Sequence, residues 1–203
     1  DVLLVHARAQ EDKFVADGFG VDRRDVMYND FVILGPGNDP AGIRGEKLAV
    51  NALKRIAQSQ AVFVTRGDNS GTHVKEMELW KKAGVVPKGV WYVTFERGAS
   101  GNAPTTTYAN QRRAYVLMDR ATYLTLKKEI TLQVLVEKDP DLLNYIAVIR
   151  MNPAKFPKTN TAEAKAFLDW LVSDEAQELI KGFGVPQYGE SLFFPNSDEW
   201  RKK

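Results

Sequence analysis

The residues TRGDNSGTH (65–73) crowd hydrogen-bond donors into the point where an apolar run ends at Val64. Arg66 brings a planar cationic fork. Ser70 and Thr72 bring hydroxyls, and glycines at 67 and 71 let a backbone come close to a ligand. If a helix starts here, its first N–H groups lack intrahelical acceptors and carry partial positive charge. Such a set suits a small tetrahedral oxyanion, held by neutral donors and one cation. A plainer reading stands beside it, in which Asn69 or Ser70 only caps the helix.

Other chemistries fit less well. The Gly-Lys-Ser/Thr ending of a phosphate-binding P-loop is absent. Arg66-Gly67-Asp68 is an adhesion tripeptide too short to carry weight inside a strand–helix junction. Ser70 and His73 sit three apart, but no acid orients them and no Gly-x-Ser-x-Gly elbow is present. We therefore expect no catalytic residue and no enzyme. His6 ends a short apolar run, and two histidines without cysteine make no transition-metal set. No metal site and no cofactor are expected.

The whole chain sets further bounds. It has 203 residues, 44% hydrophobic and 27% charged, as in globular proteins. A formal charge of +2 gives no reason to invoke a nucleic-acid partner. No segment approaches the roughly 20 apolar residues that cross a bilayer. The chain opens on DVLLVHA, a strand-like run without an initiator Met, so further residues are expected upstream.

The elements that must position the motif can be read from periodicity. Val2–Val5 reads as a short buried strand, and ARAQEDKFVADG as a polar helix. Phe31–Leu34 is an apolar strand stopped by Gly35-Pro36. Leu48, Ala49, Ala52, Leu53 and Ile56 recur at helical spacing. From Thr72 to Ala83 the apolar positions Val74, Met77, Trp80 and Ala83 mark a helix that Gly84 ends. Strands follow at VWYVTF, AYVLMD, TLQVLVE and LLNYIAVIRMN. Asn160 with Glu163 resembles a capping box, and Ser173 can cap a last helix. The alternation of strands and helices predicts α/β units with mainly parallel sheets.

Several stretches taken in order carry a resemblance: ADGFGVDRRDVMYNDFVILGP, DPAGIRG, TRGDNSGTHVKEMELWKKAG, AYVLMDRATYL, NPAKFP, AKAFLDWLVSDEAQELI and YGESLFFP. Together they resemble the TupA-type tungstate-binding proteins, the solute receptors of tungstate ABC importers, over essentially the whole chain. The resemblance implies a two-lobed type II periplasmic-binding fold with the anion in the cleft. Lobe I would comprise residues 1–34 and 147–203, and lobe II residues 35–146. The crossover strands would lie near 31–34 and 145–149.

The same resemblance implies ligand contacts from Arg66 and Thr72, with Ser70 and Gly71 beside them. Asp68, repelled by a dianion, would position Arg66 or cap a turn. Asp119 and Arg120 would serve a structural ion pair or lobe closure before any ligand contact. The ligand would be tungstate, with molybdate as a second candidate, and tungsten would enter only as its oxyanion. A monomeric, periplasmic receptor would hand it to an ABC permease, and its signal peptide would lie upstream. Two departures stand out. The family's N-terminal Thr-Thr-Thr-Ser segment, which serves the first lobe, would also lie upstream, so the N-terminal portion of lobe I is expected to be missing. The stretch ERGASGNAPTTT replaces a Gly-Met-containing one, and Thr105–Thr107 is no substitute for the N-terminal segment. The alternative is an anion-sensing effector domain of an intracellular regulator.

Overall fold

The computed structural model describes all 203 residues. In chain order the elements are β1 (Val2–Val5), α1 (Arg8–Ala16), β2 (Gly20–Gly35), α2 (Ala49–Ser59), β3 (Phe63–Thr65), α3 (Gly71–Lys82), β4 (Tyr92–Thr94), α4 (Asn102–Gln111), β5 (Val116–Asp119), α5 (Arg120–Leu126), β6 (Gln133–Val136), β7 (Leu143–Met151), α6 (Thr161–Leu171), α7 (Asp174–Gly182), α8 (Val185–Tyr188), β8 (Phe194–Pro195) and α9 (Asp198–Arg201). The chain divides into two compact units, Asp1–Asn29 with Asn144–Lys203, and Asp30–Leu143. One division falls inside β2 and the other at the start of β7.

In the unit Asp30–Leu143, β2 is buried on both faces, which is why Phe31–Leu34 reads as an unbroken apolar run. Phe31 and Ile33 point into a core with Leu53, Ile56, Phe63, Trp80 and Leu117. Val32 and Leu34 point the other way, to Val64, Phe95, Val116 and Met118. β5 and β6 both pair antiparallel with β2, Ile33 lying opposite Leu117 on one side and Val136 on the other. β3 pairs parallel with β4, and a parallel bridge joins Phe63 to Tyr115 ahead of β5.

The expectation of mainly parallel sheets is therefore corrected. Parallel neighbours need a crossover, and here the helices α3 and α4 serve only β3, β4 and β5. β2 enters the sheet directly from the other unit, and the strands beside it run against it.

In the other unit, β1 pairs antiparallel with β7, and β8 with β2. β1 stands at the end of the sheet order and Leu4 is 47% exposed, so the first strand is half-covered where we expected it buried. Val26, Val148, Leu168, Leu171 and Val172 form the core. Gln177 of α7 is fully buried. Its Nε2 donates to the carbonyls of Val26 and Leu171, and its Oε1 accepts the N–H groups of Asn196 and Ser197. Ser173 caps α7 as expected, but Asn160 makes no side-chain cap on α6, so the capping box does not form.

Candidate functional site

The motif occupies the turn between β3 and α3. Gly67 has φ of 64° and Asn69 has φ of 58°, which folds the loop back on itself. The N–H of Asn69 donates to Nδ1 of His73 at 3.0 Å, so the imidazole serves the turn. Ser70 is the N-cap of α3 and accepts from the N–H of His73. Its own proton goes to Asp68, 2.7 Å away. Gly71 and Thr72 open the helix, where N–H groups have no intrahelical acceptor.

Asp68 organises this turn. Its Oδ2 takes Nη2 of Arg66, and its Oδ1 takes both the hydroxyl and the N–H of Ser70. Burial pushes the Asp68 carboxyl up, but the Ser70 bonds and the guanidinium outweigh it and hold the group below its ordinary value. The residue is ionised and committed to Arg66, as its sign predicts. Arg66 Nη1 donates to Oδ1 of Asn102, while its buried Nε has no partner and remains an unspent donor. The Thr72 hydroxyl donates to the same Asn102 oxygen at 3.2 Å, and Thr72 is 7% exposed. Arg66, Ser70, Gly71 and Thr72 thus stand together at one helix start.

Asp119 and Arg120 do not pair with each other. Asp119 caps α5, accepting the N–H and hydroxyl of Thr122 at 2.8 and 2.6 Å. Arg120 runs to Asp30 at 2.6 Å and Glu137 at 2.8 Å. Burial would lower its pKa, but the two carboxylates hold it above the ordinary arginine value.

The family model for the periplasmic-binding-protein (PBP) superfamily domain matches residues 1–175. A tungstate-binding protein TupA from Peptoclostridium acidaminophilum is 45% identical over 199 residues, which cover 97% of this chain and 68% of the relative. The chain belongs to the TupA family. The solved tungstate-binding protein TupA from Desulfovibrio alaskensis G20 superposes with a TM-score of 0.87 at 42% identity, covering 98% of this chain and 79% of that one. A structure titled the tungstate ABC transporter from Geobacter sulfurreducens is 49% identical with a TM-score of 0.76, over 90% of this chain and 77% of that one. The α/β architecture is accordingly the type II periplasmic-binding fold of the TupA family.

Two residues around this TupA-family turn escaped the sequence reading. Asn102 lies in GASGNAPTTT, whose glycines, proline and threonines hide α4. The signal was Pro104 in a first helical turn, where the missing N–H costs nothing. Thr105 and Thr106 turn their hydroxyls back to the carbonyls of Gly101 and Asn102, both at 2.9 Å, so they serve the helix. Glu76 is the second. It is 2% exposed and accepts from Trp80 Nε1 at 3.0 Å and the Tyr92 hydroxyl at 2.6 Å. Burial pushes its carboxyl up to about 7, against the pull of those hydrogen bonds.

Proposed function

We propose that this chain is an extracytoplasmic receptor that captures tungstate as its oxyanion and delivers it to the permease of an ABC importer. The observation that carries the reading is the buried Arg66 Nε left without a partner beside the opening N–H groups of α3, with Arg66 Nη1 and Thr72 Oγ1 both held on Oδ1 of Asn102. Relatives 42% and 45% identical to this chain bear the name tungstate-binding protein. Arg66 gives the charge-assisted contact through its unpartnered Nε, the opening N–H groups at Gly71 and Thr72 give neutral donors, and the Thr72 hydroxyl joins them by exchanging its bond to Asn102. Ser70 contributes mainly through its cap, since its proton is spent on Asp68.

The chain works as a monomer and performs no chemistry on its cargo; tungsten stays inside its four oxygens. Donors fixed on rigid elements select by oxygen spacing, so the smaller sulfate binds weakly. Molybdate, nearly the size of tungstate, competes. No helix is long and apolar enough to cross a membrane.

Isothermal titration calorimetry with tungstate, molybdate, sulfate and phosphate tests this. Tungstate should bind tightest or share that rank with molybdate. Arg66→Ala should cost about 2–3 kcal/mol, the worth of charge-assisted hydrogen bonds, which is on the order of 100-fold in affinity. Sulfate or phosphate binding more tightly than tungstate overturns the reading.

A further inference from the structure

We propose that Asn102 is the positioning residue of the anion site: by holding Arg66 Nη1 and the Thr72 hydroxyl on its own Oδ1 it fixes the guanidinium, with its unpartnered Nε, beside the start of α3, and it passes to them the anchor of Asp119. The inference rests on the oxyanion reading above and extends it to a residue outside the motif. Oδ1 of Asn102 accepts from both Arg66 Nη1 and Thr72 Oγ1. Its Nδ2 donates to Asp119 Oδ2 at 2.6 Å. This orientation is fixed by chemistry, because a flipped amide would face NH₂ against a guanidinium and an oxygen against a carboxylate. Asp119 is itself pinned by the N–H and hydroxyl of Thr122. One hydrogen-bonded line therefore crosses the starts of α3, α4 and α5.

Neutrality is the second part of the role. Asp68 already sets one carboxylate against Arg66. An acid in place of Asn102 would set a second and cancel the field that an anion needs. An apolar side chain would leave Arg66 Nη1 and Asp119 without their partner. A short amide both accepts from the cation and donates to the anchor.

Four variants and three readouts test it on the full chain. Asn102→Ala should lower tungstate affinity at least about tenfold. Adding Arg66→Ala to it should cost much less than in the wild type, because the two residues act as a unit. The exchange Asn102→Asp with Asp119→Asn keeps the net charge and the contact between the two residues with its polarity reversed, the Thr122 hydroxyl turning from donor to acceptor. It should melt near the wild-type temperature yet bind tungstate at least about tenfold more weakly. Guanidinium ¹⁵N NMR reads the positioning without any anion: rotation of the Arg66 Nη groups should be slow in the wild type and released in Asn102→Ala. An Arg66 held equally in both, an Asn102→Ala affinity within twofold of wild type, or an exchange variant that binds normally overturns the proposal. A wild-type chain that ignores tungstate would overturn the ligand reading instead, and the NMR comparison would still decide whether Asn102 positions Arg66.

Discussion

Between pH 5 and 8 the carboxyl of Glu76 changes charge inside the core beneath α3. Its folded pKa of about 7 lies above the ordinary 4.5, so the folded chain holds the proton more tightly than the unfolded one. The resulting stability is fully present below about pH 4.5. It declines as pH rises, because the unfolded chain ionises first, and is gone above about pH 7. The slope is about 1.4 kcal/mol per pH unit in that window. Glu76→Gln keeps an oxygen for Trp80 and Tyr92 and cannot ionise. In urea titrations it should flatten the slope between pH 5 and 7 and exceed the wild type at pH 8 by roughly 1–3 kcal/mol. Identical slopes in the two proteins would show that Glu76 does not titrate there. This residue was illegible in the sequence for a definite reason. Val74 and Met77, which look like the inner stripe of α3, are 48% and 41% exposed. The stripe that packs inward is Thr72, Glu76, Leu79 and Trp80, and two of its four members are polar. Of the expected stripe Trp80 and Ala83 are buried, so hydrophobicity placed the helix and its C-terminal contacts but not the inner face of its first two turns. The cation and hydroxyls of the strand-to-helix turn could be singled out from the sequence, and Ser70 among them is the helix cap that the plainer reading expected.

At the scale of elements, the β3–α3 turn is held from outside by the short helical turn Gly98–Ser100. A Cβ on Gly98 would collide with the carbonyl of Arg66, so that turn sets the height of the Arg66 backbone. Gly98→Ala should cost about 1–3 kcal/mol in urea unfolding, as overpacking does. Because the displaced group is Arg66 itself, calorimetry should show tungstate affinity falling along with stability. Gly182→Ala, in α7, meets no atom within 4 Å and serves as the control, with affinity unchanged and stability kept or raised by up to about 1 kcal/mol. The strand and helix positions around this turn followed from periodicity, and α2 buries Ala49, Ala52, Leu53 and Ile56 as its spacing predicts, while Leu48, expected with them, is its exposed N-cap. α4 did not follow. Its threonines pair with their own helix carbonyls, a use that no hydrophobic period reveals.

For the molecule as a whole, a ligand that binds only the folded form stabilises it by mass action. Tungstate at 100 times its dissociation constant should add about 2.7 kcal/mol. For a chain of this size that raises the melting temperature by roughly 5–10 °C. Differential scanning calorimetry checks it, and sulfate at the same concentration should give a much smaller shift. The α/β class was legible from alternating elements, and the type II fold from an ordered set of short motifs. The sheet directions were not, since they depend on how β2 enters the second sheet, which no local pattern encodes.

The division of the chain also bears on its synthesis. The unit Asp30–Leu143 is one uninterrupted stretch, whereas the other is assembled from two segments, Asp1–Asn29 and Asn144–Lys203, that flank it. A ribosome adds roughly 5–20 residues per second. Once Leu143 has left it, every partner in the inserted unit exists, and the anion turn can form at once. The Val26 carbonyl must wait several seconds more for Gln177 and Asn196. The turn that carries Arg66 and Thr72 therefore belongs to a unit whose partners are all synthesised before Gln177 exists.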